Sequence, residues 1–321
     1  MNKHKKNKHR DIRFLVTQKC CYRCPFCHGE GLQSTKKDKL KAEDFVFLFK
    51  NCYKNFNIKT ATLTGGEPLV RKDICEIAKS LKKEGANLTL TTNGYFLEEK
   101  LEIGQYIDKM NVSFHSFDKK TYEKMVGKKG TYEKALRGIY KIREEYPNLN
   151  IFLNATIFRG LNSQEDKIKD LIKFANKTKS SIKFVELFPS NLPESVSLEE
   201  IKKILLKMNF KKDIINDVRK KYYLSEDKKE KVYLTRIFCA TASKHKNPGK
   251  FCNQHNDLFV SPDGKIKPCR NNPFEVSILK EVKNRNTFLL KRKIKKAIKN
   301  LGKNCSKFIM EDYTSESSKV N

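Results

Sequence analysis

RFLVTQKCCYRCPFC, Arg13–Cys27, sets a short apolar run directly against four cysteines. The run has strand composition, and the cysteines begin where a strand would hand over to a loop. The same hand-over recurs downstream. TATLT (Thr60–Thr64) leads into GGEP, and NLTLTT (Asn87–Thr92) leads into Asn93-Gly94. MNVSFH (Met110–His115), NIFLNATIF (Asn150–Phe158) and IKFVELF (Ile182–Phe188) bring the strand candidates to six. Between them, EDFVFLFKNCYKNF, KDICEIAKSLKKEG, TYEKALRGIYKIREEY and EDKIKDLIKFANKT repeat apolar residues every three or four positions, with Gly85 as a C-terminal cap. Such alternation predicts parallel strands joined by right-handed crossovers. Six units fall short of the eight in a closed barrel, so the expected fold is α/β, a partial (β/α)6 TIM-like barrel. Its chemistry should lie at the C-terminal ends of the strands.

Composition sets the outer limits. Of 321 residues, 38% are hydrophobic, enough for one large domain with a smaller extension. Residues 1–10 (MNKHKKNKHR) form a basic arm, 11–195 the barrel, 196–310 a C-terminal region and 311–321 a polar tail expected to be disordered. The C-terminal region opens with SLEEIKKILLKM, where Ser197 and Glu200 form a capping box. A lysine-rich stretch, a cysteine segment (Cys239–Cys269) and a basic helix (Leu289–Leu301) follow. No apolar run approaches the roughly 18 residues of a membrane span. The basic start precedes no signal-peptide core, which reads as cytoplasmic. Ten cysteines in that compartment point to metal or redox chemistry rather than disulfides. The net charge of +31 invites an RNA or other anionic partner, but lysines run along the whole chain without an aromatic platform. Solvated helix faces are the favoured reading, and nucleic acid the weaker one.

Two spacings fit the first cluster: Cys20, Cys24 and Cys27 give C-x3-C-x2-C, and Cys21, Cys24 and Cys27 give C-x2-C-x2-C. The second matches the start of a bacterial ferredoxin run, whose next cysteine is here Gly31. Zinc on all four thiolates is the other alternative, although four ligands this close would strain one loop. Three thiolates on one loop suit a four-iron cluster with one iron left open for a ligand. GGEP after the second strand offers two glycines for close backbone approach, and Glu67 as a carboxylate able to accept from an ammonium.

C-x3-C-x2-C after the first strand, Phe26 before the last cysteine, and GGEP after the second strand resemble the radical S-adenosylmethionine (SAM) superfamily. The resemblance implies a [4Fe-4S] cluster on Cys20, Cys24 and Cys27, with Cys21 spare, and SAM on the open iron. It implies SAM contacts at Phe26, Gly65, Gly66, Glu67, Ser113, Asn154 and Phe188. It also implies reductive SAM cleavage to a 5′-deoxyadenosyl radical, with the electron supplied by a reductase such as flavodoxin or ferredoxin.

LTGGEPLVRKDI, VSFHSFD, LNATIFRGLNSQED, KFVELF and FCNQHNDLFVSPDGKIKPCR resemble in turn the GTP 3′,8-cyclase family of molybdenum cofactor biosynthesis, over roughly residues 10 to 300. That family carries a second cluster, which the resemblance places on Cys252, His255 and Cys269, with Cys239 as an alternative ligand. A plain hairpin with two cysteines is the competing reading. The substrate side departs from the family. Arg13 is kept, but Thr62, Phe152, Asp257 and Phe259 stand where it has basic residues, removing charge-assisted contacts to a triphosphate. The expectation is therefore a radical SAM enzyme acting on a small molecule or peptide other than GTP. A divergent GTP cyclase and a non-catalytic iron–sulfur or zinc RNA-binding protein are the alternatives.

Overall fold

The computed structural model describes residues 11–27, 38–187, 192–213, 220–227, 230–236, 252, 257–301 and 303. Its first six strands are β1 (Asp11–Thr17), β2 (Thr60–Gly65), β3 (Asn87–Thr92), β4 (Lys109–Ser113), β5 (Asn150–Ile157) and β6 (Ser181–Glu186). They pair in sequence order, all parallel. Helices α1 (Ala42–Phe56), α2 (Ile74–Lys83), α3 (Lys119–Val126), α4 (Tyr132–Glu145) and α5 (Glu165–Lys177) lie between them. Every strand reads with a period of two. Ile12, Phe14, Ala61, Leu63, Leu88, Leu90, Met110 and Val112 are fully buried, in one core with Phe45, Leu48, Ile77 and Ile139 of the helices. The alternate residues, including Arg13, Thr62, Thr89, Asn111 and Asn154, line a cavity on the other face. That alternation makes a polar-lined half-barrel out of helix-covered strands.

The C-terminal half extends the sheet at both ends. Helix α6 (Leu198–Lys207) starts with the expected box: Ser197 Oγ accepts from the Glu200 N–H at 3.3 Å, and Glu200 Oε1 accepts from the Ser197 N–H at 3.1 Å. Strands β7 (Lys211–Asp213), β8 (Lys220–Leu224) and β9 (Lys231–Thr235) come next, then β10 (Leu258–Val260), β11 (Lys265–Lys267) and β12 (Val276–Ser277). The sheet order is β12-β11-β10-β1-β2-β3-β4-β5-β6-β9-β8-β7. Because β9 joins β6 and β10 joins β1 in parallel, the parallel wall has eight strands, two more than the sequence suggested. Its outer neighbours are antiparallel, and the two end strands do not pair, so the barrel stays open. The SPDGKIKP turn does form a hairpin, β10–β11, around Gly264. Helices α7 (Leu279–Lys283) and α8 (Thr287–Lys299) close the chain's described part. Among the described residues no helix is long and apolar enough to cross a membrane.

Candidate active site

A cavity of about 480 Å³ opens at the strand ends. Cys20, Cys24 and Cys27 line it; Cys21 does not. Local anchors explain the difference. Tyr22 is buried, its hydroxyl 3.1 Å from that of Tyr122 on α3, and the Arg23 N–H donates to the Val126 carbonyl at 3.0 Å. A turn closed by the Cys27 N–H on the Cys24 carbonyl (3.0 Å) keeps the later cysteines on the cavity side. Asn93 Nδ2 donates to Cys21 Sγ at 3.3 Å and, more distantly, to Cys20 Sγ at 3.9 Å. Hydrogen bonding from Cys21 brings the Cys20 thiol down to about 6 despite burial, and the Cys21 thiol rises in return. Burial, then Cys27 and Cys20, push Cys24 up to about 12. Three thiols facing one space are a donor set that a cationic iron–sulfur cluster could take as thiolates. Among the described residues, no three metal-binding side chains are already closed into an ion cage.

GGEP is docked backbone to backbone on the cysteine loop. The Gly66 N–H donates to the Thr17 carbonyl at 2.9 Å and the Glu67 N–H to the Lys19 carbonyl at 2.8 Å. A Cβ at Gly65 or Gly66 would lie 2.4 Å from Thr17 O or 2.2 Å from Lys19 O, so only glycine permits the approach. Glu67 points inward and is fully buried. Its Oε1 accepts from the Leu69 N–H (3.0 Å) and the Thr92 hydroxyl (2.7 Å), and its Oε2 from the Asn93 N–H (2.6 Å). Burial pushes this carboxyl up to about 7 against those three donors. Glu67 thus ties the second strand end to the third, and both carboxylate oxygens are occupied within the protein.

Gly65, Gly66, Ser113, Asn154 and Phe26 all line the cavity. Asn154 Oδ1 is a buried acceptor without a hydrogen-bond partner, which invites a ligand donor. Phe26 packs against His115 (5.1 Å between centroids) and Phe158 (5.0 Å). His115, unremarked in the sequence, lines the cavity with its Nδ1 accepting from the Thr156 N–H at 3.2 Å. Burial brings its imidazole down to about 4, so it stays neutral with the proton on Nε2. Phe188, His255 and Cys239 lie outside the described residues. Cys252 and Cys269 are buried and outside any disulfide; Cys269 lines the cavity and Cys252 does not.

Sequence reasoning missed most of the cavity's charge. Arg13, Lys109, Lys183, Arg236 and Arg270 line it, against Asp11, Glu186 and Asp257. Arg236 Nε is 2.9 Å from Glu186 Oε2. Lys109 and Lys183 flank Phe152, their ammonium nitrogens 4.4 and 4.8 Å from the ring centroid. Counting back from Ser113 in twos reaches Asn111 and Lys109, so the strand period would have revealed the first lysine.

A family model described as the radical SAM superfamily matches residues 14–175. The probable GTP 3′,8-cyclase of Pyrobaculum aerophilum is 31% identical over 281 residues, 85% of this chain and 88% of that one. Its namesake in Thermococcus kodakarensis is 34% identical over 277 residues, covering 82% and 85%. Among solved structures, Streptococcus suis SuiB bound to S-adenosylmethionine superimposes with a TM-score of 0.64 at 14% identity, over 85% of this chain and 64% of that one. Native anSMEcpe with bound AdoMet gives 0.57 at 13%, over 86% and 81%. These two likenesses establish the shared partial-barrel fold. By sequence, the chain belongs to the radical SAM superfamily of enzymes, for which SAM and an iron–sulfur cluster are the implied cofactors.

Proposed function

We propose that Cys20, Cys24 and Cys27 hold a four-iron cluster and that the enzyme abstracts hydrogen from an anionic substrate other than GTP. The carrying observation is that these three cysteines, and not Cys21, share one cavity with Ser113, Asn154 and the glycines of GGEP. When bound, the cluster and SAM supply one-electron sulfonium cleavage and hydrogen abstraction. The chain's own residues orient and enclose. Asn154 Oδ1 would accept a hydrogen bond from SAM, with the Ser113 hydroxyl and the Gly66 backbone available as further polar contacts. Phe26 and Phe188 give apolar contact to the cofactor. Glu67 acts through its neighbours, fixing GGEP and the Thr92–Asn93 turn in one frame. Residues 11–195 form the six-strand body of the catalytic barrel, and 196–310 add its two outer parallel strands and carry a second cluster on Cys252, His255 and Cys269, with Cys239 as the alternative.

The cation excess of the wall supports an anionic substrate, and Phe152, Asp257 and Phe259 speak against a triphosphate held as the cyclases are expected to hold it. A peptide with acidic residues fits the same wall; SuiB, which shares the fold, has been solved bound to its precursor peptide SuiA. The second reading, a GTP 3′,8-cyclase, is favoured by the names of the relatives. Calorimetric titration of reconstituted protein with GTP decides between them: no binding at millimolar nucleotide is expected, and binding would establish the second. For the chemistry, anaerobically reconstituted, dithionite-reduced protein should form 5′-deoxyadenosine from SAM with substrate present. Its absence there would sink both readings.

A further inference from the structure

Asn93 stands just past the end of β3, lines the cavity and is only 8% exposed. Its main chain is tied down, because the Asn93 N–H donates to Glu67 Oε2 at 2.6 Å. Its side-chain Oδ1 accepts from the Tyr95 N–H at 3.0 Å. A backbone N–H can meet only the oxygen of an amide, so this contact decides which way the side chain faces. The NH2 group is thereby turned to the thiols, 3.3 Å from Cys21 Sγ and 3.9 Å from Cys20 Sγ, with one hydrogen for each. Cys20 Sγ also accepts from the Tyr22 N–H at 3.4 Å. Two donors held by the fold, one from the cysteine loop and one from a neighbouring strand end, therefore converge on one sulfur.

We infer that Asn93 raises the reduction potential of the cluster by donating to the Cys20 sulfur, an inference that rests on the cluster assignment proposed above. Reduction adds one electron to the cluster while no bond forms or breaks and no proton moves, so the added negative charge is shared with the ligand sulfurs. An N–H donor at such a sulfur favours the reduced, more negative state over the oxidised one. The contact to Cys20 is long, but its direction is fixed in advance: Glu67 holds the Asn93 backbone and the Tyr95 N–H holds the far side of the amide. Glu67 then has a reach beyond its own strand end. Docked through GGEP, it presents the residue of β3 whose amide faces the sulfurs.

The test uses reconstituted full-length protein without SAM, titrated with dithionite through redox mediators and read by the EPR signal of the reduced cluster. Asn93→Leu keeps the shape of the side chain and removes the donor. At a fixed solution potential its reduced-to-oxidised ratio should be about tenfold below wild type, a midpoint about 59 mV more negative. Iron and sulfide content should match wild type. An unmoved or raised midpoint would overturn the inference, and a lowered melting temperature beside it would leave Asn93 a structural residue only. If Asn93→Leu takes up too little iron, Asn93→Asp is judged instead, since it keeps an oxygen for the Tyr95 N–H and loses the NH2; its midpoint must fall at least as far. Loss of the cluster in both variants would also overturn the inference, making Asn93 a requirement for assembly and not a tuner of potential. Wild-type protein that takes up no cluster has a different signature, nothing to titrate, and would overturn the cluster assignment itself.

Discussion

Gly66→Ala is the sharpest probe of the frame that joins the thiol loop to GGEP. The added methyl would lie 2.2 Å from Lys19 O, 2.6 Å from Lys19 C and 2.7 Å from Gln18 O, all backbone atoms, where ordinary contact starts at 3.4 Å. No side chain can rotate away, so the two loops must separate by about 1 Å, at an overpacking cost of about 1–3 kcal/mol. Separation breaks the 2.8 Å bond from the Glu67 N–H to Lys19 O and stretches the 2.9 Å bond from the Gly66 N–H to Thr17 O, adding about 1 kcal/mol each. The sum, about 3–5 kcal/mol, should lower the thermal midpoint by several degrees. The catalytic effect is larger, because a shift of about 1 Å in a positioning element costs on the order of 100-fold in rate. Thermal unfolding, iron and sulfide content, SAM affinity and 5′-deoxyadenosine formation are measured on the same reconstituted preparation. A variant with an unchanged midpoint and a rate within about threefold of wild type would refute the claim that this contact positions the site.

Cys20→Ala should lose bound iron and all SAM cleavage while Cys21→Ala keeps both, read by iron and sulfide analysis; the reverse pattern transfers the ligand role to Cys21. Glu67→Gln leaves one of its three donors facing an amide NH2, costing about 1–3 kcal/mol. SAM affinity should fall with iron content retained, and unchanged affinity would contradict the positioning role. Asp44 on α1 is 1% exposed and paired with Lys283, and with Arg285 at 2.9 Å, tying the C-terminal segment to the barrel. Burial opposes its ionisation, but Lys283, the Lys41 N–H and Arg285 outweigh it and hold the carboxyl below its ordinary 3.8. Its stabilisation is therefore complete above that value and lost as pH falls through the lower folded value. Asp44→Asn should cost about 1–3 kcal/mol at pH 7 in urea unfolding, since both partners are part-exposed. The gap from wild type should close in strong acid; a gap that persists there removes the electrostatic explanation.

The strand and helix pattern was legible wherever period and length agreed. β3 begins and ends where NLTLTT does, and the Ser197 box caps α6 as its sequence implies. β10 escaped because three residues are too short to show a period, and β9, as long as β4, lies in a lysine-rich stretch outside the strand–helix alternation; their partners, β1 and β6, are distant in sequence. Helix α8 starts two residues earlier than expected because the Asn286 side chain accepts from the Leu289 N–H at 3.0 Å and caps it there. At the site, cysteine spacing and GGEP were readable because one short segment carries each. The buried ends of Glu67 were not, since its three donors come from Leu69, Thr92 and Asn93 across two strand ends.

The same limit governs the substrate. Comparing positions one at a time subtracts charge at Thr62, Phe152, Asp257 and Phe259. A barrel wall, however, is shared between neighbouring strands. Across β4, β5 and β6, Asn111 pairs with Phe152, and Asn154 with Lys183. Lys109 and Lys183 reach over the Phe152 ring from either side, and Lys183 also donates to Asn111 Oδ1 at 3.3 Å. Cationic charge thus reaches the Phe152 position from the strands on either side. On the opposite side Phe259, paired with Arg13 in the sheet, lies with its ring 5.5 Å from the guanidinium carbon, and Asp257 adds a negative charge. An anion held from β4 and β6 would face Phe259 and Asp257 there, beside Arg13 and Arg270. On the function proposed above, such a wall would suit a ligand with one compact anionic end better than an extended triphosphate.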